Sequence, residues 1–258
     1  MLLREAPTTS SSAFTQASDI GRRLQTDISM RSLSHCSQCA TQALCNPADL
    51  SAEELARVDS LVSEVRTVQR GASLFRANDS FSNVHIVRSG SFKTVVMHRD
   101  GREQVTGFQI PGEMLGLDGI VHGQHLCGAM ALERSTVCVI PFEPLEDLCR
   151  AIKPMQQHLH KLMSREIVRE SNMIMLLGTM RADQRVAAFL LNLAGRYGSR
   201  GYSDTEFVMR MTRGEIGSYL GITLETASRM FSKLQQERLV HARGKQVRIL
   251  DSDGLARL

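Results

Sequence analysis

Two short helices set at a fixed offset around one glycine constrain this chain more than any other feature. Thr212-Arg213-Gly214-Glu215 places a hydroxyl at an N-cap and a carboxylate at N3, the reciprocal pattern that starts a helix, here running to Leu220. Gly221-Ile222-Thr223 supplies a short turn with glycine where a left-handed backbone is needed, and a second helix is expected from Leu224 to about Gln236. Met230, Phe231 and Leu234 face inward on that helix, while Glu225, Thr226, Ser228 and Arg229 crowd its start with polar groups. Such side chains suit base edges in a major groove: Glu accepts from cytosine N4, Arg forks onto guanine O6 and N7, and Ser adapts. Taken alone, Glu225 and Arg229 would be an ordinary surface pair four residues apart. The turn, the caps and the local charge favour double-stranded DNA as the partner, with Arg213 at the head of the first helix as a further candidate contact.

The net charge of +4 is unevenly spread. Residues 181–258 carry 13 Lys/Arg against 8 Asp/Glu, and the remainder carries 18 against 19. The excess positive charge is C-terminal, as a phosphate-binding unit requires. An apolar helix from about Ala182 to Tyr197 precedes the two short ones. Beyond them, Leu239 to Ala242 and Gln246 to Leu250 flank Arg243-Gly244-Lys245, a hairpin with a basic tip suited to phosphates.

Upstream the pattern changes. Residues 1–35 are rich in Ser, Thr, Gln and Ala without apolar periodicity and read as a mobile arm. Ser51 to Leu61 reads as a short helix with Ser51 at the N-cap and Glu54 at N3. From about Val65 to Pro141, β-branched runs such as Val84 to Arg88, Phe92 to His98, Gln104 to Gln109 and Thr136 to Ile140 alternate with glycine turns, which predicts a small antiparallel β-roll. Pro154 opens a helix that continues to about Met180, roughly 39 Å at 1.5 Å per residue. Leu159, Met163, Ile167, Ile174 and Leu177 form a stripe on it suited to pairing with a second copy. Glu170 interrupts the stripe, where a two-fold pairing brings it near its own symmetry mate and weakens the dimer by about 1 kcal/mol. Pairing of Glu170 with Arg165 or Arg169 is the alternative.

With 258 residues and 42% apolar composition, the chain can bury a core in each unit. No run reaches the ~20 apolar residues a membrane helix needs, and Met1 to Ile20 lacks the pattern of a secretory signal, so a cytoplasmic location is expected. Six cysteines in that compartment are free thiols or metal ligands. Cys36, Cys39 and Cys45 lie within ten residues; Cys127, Cys138 and Cys149 are dispersed, and His35 stands beside the cluster. No Ser/His/Asp set, paired carboxylates or redox Cys-x-x-Cys setting supports an enzyme.

Three features together carry a resemblance: Cys36-x2-Cys39-x5-Cys45, the strand Val137-Cys138-Val139-Ile140-Pro141-Phe142, and the helix start Glu225-Thr226-Ala227-Ser228-Arg229. Over nearly its whole length the chain resembles the cyclic AMP receptor protein superfamily, and within it the FNR (fumarate and nitrate reduction) and Anr-type branch. The resemblance implies an α+β architecture: an N-terminal antiparallel, jelly-roll-like β-roll with its cysteine loop over 36–153, a dimerisation helix over 154–180, and a C-terminal winged helix-turn-helix over 181–258. It implies that Cys36, Cys39, Cys45 and Cys138 hold an oxygen-labile [4Fe-4S] cluster, although four thiolates also suit tetrahedral zinc and Cys127 is an alternative fourth ligand. It further implies a homodimer on an inverted repeat similar to TTGAT-N4-ATCAA, with Glu225 and Arg229 on the G·C pair and Ser228 near a thymine. Surfaces near Asp100-Gly101 and Arg134 would meet RNA polymerase by the same analogy. Gly112-Glu113-Met114-Leu115-Gly116 is similar to the start of a cyclic-nucleotide cassette, but Leu126-Cys127-Gly128-Ala129 offers no arginine for the phosphate, so no cyclic nucleotide is expected.

Overall fold

The capping box written at Ser51 closes as its spacing requires. Ser51 Oγ accepts from the Glu54 N–H (3.2 Å), and the Glu54 carboxylate accepts from the Ser51 N–H (2.8 Å). The computed structural model in which this is seen describes residues 29–31, Cys36, Cys39, 41–98 and 100–258. Most of the expected arm, and His35, lie outside the described residues. Ser29–Arg31, which the composition assigned to that arm, is a strand, β1. After it come a one-turn helix α1 (Gln42–Cys45) and the capped helix α2 (Ala52–Leu61).

The β-roll follows as β2 (Glu64–Val68), β3 (Ser73–Phe75), β4 (Asn83–Ser89), β5 (Phe92–Met97), β6 (Glu103–Gln109), β7 (Met114–Leu115), β8 (Gly128–Ala131) and β9 (Ser135–Pro141). All pairings are antiparallel, in a five-stranded sheet ordered β1-β2-β9-β4-β7 and a four-stranded sheet ordered β3-β8-β5-β6. Val68, Val87, Phe92, Ala129, Val137 and Val139 belong to one apolar cluster of the roll. The opposite face of the larger sheet builds a second cluster with Val58, Leu145, Leu148 and Met155. Burial of this kind contributes about 25 cal/mol per Å² of apolar surface.

A ten-residue helix that the strand-and-turn reading did not anticipate, α3 (Phe142–Ala151), starts directly from the end of β9 with Pro141 at its N-cap. It leads into α4 (Lys153–Thr179), whose second position is Pro154, tolerated there because the first turn needs no donor.

The C-terminal unit comprises α5 (Ala182–Gly198), β10 (Glu206–Val208), α6 (Arg213–Leu220), α7 (Leu224–Gln236), β11 (Val240–Arg243), β12 (Gln246–Ile249) and α8 (Ser252–Ala256). Its core is continuous with the roll, because Val105, Phe108 and Leu132 join the cluster of Phe189, Leu190, Ile216 and Leu234. Polar contacts reinforce the junction: the Val105 N–H donates to Ser218 Oγ (2.9 Å), and Lys93 pairs with Glu215 (2.9 Å). No helix among the described residues is long and apolar enough to cross a membrane.

Candidate functional site

Strand alternation explains where the first site lies. Ser135, Val137 and Val139 are buried, whereas Cys138 points to the opposite face, in register between Val65 of β2 and Ile86 of β4. There it joins the apolar cluster against which Cys36 and Cys45 also pack. The loop reaches that face through a series of tight turns: the Cys39 N–H donates to the Cys36 carbonyl and the Gln42 N–H to the Cys39 carbonyl (3.0 Å each), and the Cys45 N–H donates to the Thr41 carbonyl (3.2 Å). Its start is tied to α2, where the Cys36 N–H donates to Asp59.

The four thiols feel one another. Burial, Asp59 and the neighbouring Cys138 and Cys45 push Cys36 up to about 12. Burial, with Cys138 and Cys39 outweighing Thr41 and Arg200, pushes Cys45 up to about 12. Cys138 rises to about 11 through burial and Cys39, against Arg88. Cys39 alone falls below the ordinary thiol range: burial opposes this, but Thr41, 3.1 Å from its Sγ, and Arg88 prevail. Among the described residues no group of three or more His, Cys, Asp or Glu is closed into metal-holding geometry. The donor set nevertheless suits a thiolate-bound centre: Cys36, Cys45 and Cys138 share one apolar flank and Cys39 lies within electrostatic reach of Cys45 and Cys138, so their anions repel until a cationic centre neutralises them.

Cys127 and Cys149 lie elsewhere. Cys127 meets Asp118, which accepts from its N–H (3.0 Å) and its thiol (3.4 Å), and burial followed by that carboxylate pushes the thiol up. Cys149 is buried on α3.

The interior of the roll is filled behind the cassette-like segment. The His125 ring stacks on Phe75 with centroids 3.8 Å apart, Phe81 meets it edge-on at 5.6 Å, and His85 lies 5.7 Å from Phe75. Burial, Arg66 and His125 press His85 down to about 3, and its buried Nδ1 has no hydrogen-bond partner.

At the C-terminal unit the Thr212 capping box forms in both directions, and Gly221 takes φ +63°. Thr223 caps α7, accepting from the Thr226 N–H (3.1 Å). Ala227, Phe231 and Leu234 are buried, which leaves Glu225 and Arg229 exposed and Thr226 and Ser228 half-buried beside them. The Arg229 guanidinium donates to Thr226 Oγ1 (3.2 Å), so it is not spent on Glu225. The Arg213 guanidinium lies 3.2 Å over the Phe231 ring, and burial lowers it to about 10. That contact ties the head of α6 to α7. In the wing, Gly244 takes φ +59° at the first position of a two-residue turn between Arg243 and Gln246. Strand β10, which the sequence reading missed, completes that sheet.

On α4 the stripe divides. Leu159 packs into the cluster near the cysteines, while Ile167 (63% exposed) and Ile174 (73%) stand in solvent with Met163 and Leu177. Glu170 is exposed among them. Arg169, one of its two candidate partners, bonds Glu166 instead and lies 3.8 Å from Glu113.

Known proteins were compared with this chain. The Crp-like helix-turn-helix domain matches residues 184–258, and the cyclic nucleotide-binding domain matches residues 65–151. The transcriptional regulatory protein Btr of Bordetella pertussis is 46% identical over 87% of this chain and 93% of its own length. The transcriptional activator protein FnrA of Stutzerimonas stutzeri is 43% identical over 87% and 92%, and the fumarate and nitrate reduction regulatory protein of Salmonella typhimurium is 41% identical over 87% and 90%. Among solved structures, FixK2 of Bradyrhizobium japonicum superposes with a TM-score of 0.69 at 26% identity, covering 75% of this chain and 96% of that one.

Proposed function

The chain belongs to the FNR/Anr-type family of Crp-like transcription regulators, DNA-binding proteins and not enzymes, and from that premise we propose that it is an oxygen-responsive regulator acting as a homodimer. Its sensing residues are Cys36, Cys39, Cys45 and Cys138, and its group is a [4Fe-4S] cluster. That cluster, when bound, supplies lability toward oxygen. The observation that carries the reading is convergence: Cys138, on the outer face of β9, shares one apolar cluster with Cys36 and Cys45, which begin and end the cysteine loop.

The chain's own residues do the rest. Holding the loop against β9 also settles the start of α4, because Met155 and Leu159 pack in that same cluster. Two chains then pair along Met163, Ile167, Ile174 and Leu177 despite the Glu170 carboxylates, and release of the loop tips a balance of a few kcal/mol back to monomers. In the dimer Glu225, Ser228 and Arg229 face two half-sites of a repeat similar to TTGAT-N4-ATCAA; Thr226 orients Arg229, and Arg213 supports α7. A cytoplasmic location and contact with RNA polymerase near Asp100 and Arg134 complete the proposal. Cyclic nucleotides have no part in it, because Phe75, His85 and His125 pack the space behind the cassette-like segment.

Protein purified under nitrogen is expected to show broad visible absorption and about four irons per chain, and air titration should release DNA as colour fades. One zinc per chain without colour would overturn the oxygen-sensing reading.

A further inference from the structure

Three segments far apart in sequence meet at one four-residue turn. Ile110-Pro111-Gly112-Glu113 closes with the Glu113 N–H on the Ile110 carbonyl (3.1 Å), and Gly112 takes φ +84°. Proline second and glycine third are what a type II turn demands. Two backbone bonds fasten the turn to β4: the Gly112 N–H donates to the Val87 carbonyl (2.8 Å), and the Val87 N–H to the Glu113 carbonyl (2.9 Å).

On one side of this turn sits the cysteine loop. A Cβ on Gly112 would stand 2.7 Å from the Cβ of Leu44, so the one-turn helix that ends in Cys45 rests on the bare glycine backbone. On the other side Glu113 leaves the roll for the C-terminal unit. Its carboxylate accepts from Arg196 Nε (3.0 Å) and Nη2 (2.6 Å), from Arg200 Nη2 (2.8 Å) and from the Ile110 N–H (3.1 Å). Arg200 also donates to the Pro111 carbonyl (2.6 Å), and Arg196 to the Phe108 carbonyl. All three side chains are at most 16% exposed, so this is a desolvated, forked grip, unlike a solvated surface pair. Arg196 belongs to the last turn of α5 and Arg200 to the turn that follows it, and α6 and α7 pack against that helix.

We propose that the Ile110–Glu113 turn is the joint through which the cysteine loop and the DNA-reading unit act on each other, with Glu113 the positioning residue that Arg196 and Arg200 grip. A shift of Leu44 moves the Gly112 backbone, and α5 follows Glu113. The purpose of this joint rests on the sensing and DNA-reading roles proposed above, but its existence is testable without metal or DNA.

Hydrogen exchange of the full-length, metal-free chain reads it directly. Glu113→Gln should speed exchange of α5 and α6 amides by about tenfold or more, and Glu113→Asp, which keeps the charge, should lose less. Leu44→Ala should also change α5 exchange, and that change should vanish in the Glu113→Gln background. Unaltered exchange in Glu113→Gln, or a Leu44→Ala effect of equal size in both backgrounds, would overturn the joint. If Glu113→Gln does not fold, Arg200→Gln, which removes one grip and keeps Arg196, takes its place in the same cycle. Failure of the oxygen-sensing reading would register separately, as colourless protein with zinc in place of iron, and leaves the exchange result standing.

Discussion

The interior of the β-roll and its outer flank are finished to different degrees. Inside, Phe75, His85 and His125 pack ring on ring, and even the unpartnered His85 nitrogen is sealed from water. Outside, Cys36 and Cys45 share the apolar cluster of Cys138, their anions disfavoured by burial and by neighbouring thiols, while the nearby Cys39 falls below the ordinary thiol range. Residues 65–151 match a family named for cyclic-nucleotide binding, yet here rings fill the interior, and the chemistry proposed above belongs to the flank.

The contrast can be broken in four ways. The largest effect should come from Cys138→Ser, which is expected to abolish iron retention, a loss beyond the roughly 10–100-fold of an outer-sphere change, whereas Cys127→Ser and Cys149→Ser should retain both iron and colour. If Cys127→Ser also lost iron, the centre would belong partly to the interior. Next comes acid. His85 takes up its proton near 3 when folded but near 6.5 when unfolded, so the unfolded chain binds more protons between those values and stability must fall as pH drops through them. The decline should reach roughly 3–5 kcal/mol in denaturant melts of metal-free protein, and His85→Leu should flatten its slope. Third, the flank matters only if its message reaches base edges. Arg229→Ala is expected to cost about 1–3 kcal/mol at one base pair, seen as relaxed preference there in competition binding; equal weakening on every sequence would make Arg229 a phosphate contact. Smallest is Glu170→Ala, expected to strengthen self-association by about 1 kcal/mol in sedimentation and to keep the chain dimeric in air. A variant that still dissociates on exposure would take Glu170 out of the switch.

Local rules made much of this legible. Capping boxes at Ser51 and Thr212, glycine at 221 and the inward face of α7 stand where their residue types put them. What escaped the reading did so for physical reasons. Helix α3 begins at the residue where β9 ends, with Pro141 serving both, so no loop marks the change of period from two to 3.6. Strand β1 is a three-residue edge whose pairing is a backbone matter that composition does not report. The stacking of Arg213 on Phe231 was not legible either, because it joins side chains 18 residues apart on two helices. Cys138 is invisible from spacing alone, ninety-odd residues from the loop it joins, and entered only through family resemblance. Glu113 stood in the sequence only as part of a cassette-like segment for which no cyclic nucleotide was expected, and its grip on Arg196 and Arg200 depends on a long-range contact that local pattern does not report.

The bare isoleucines of α4 carry one more consequence. If the chain reads DNA as the homodimer proposed above, it counts its own copies. While the protein stays below its dimer dissociation constant, the paired form grows with the square of the total, so doubling synthesis raises operator occupancy about fourfold. Abundance would thereby become a second signal beside the one proposed. A cell that lets this chain regulate its own production would obtain a steep threshold from Ile167 and Ile174, with no further machinery.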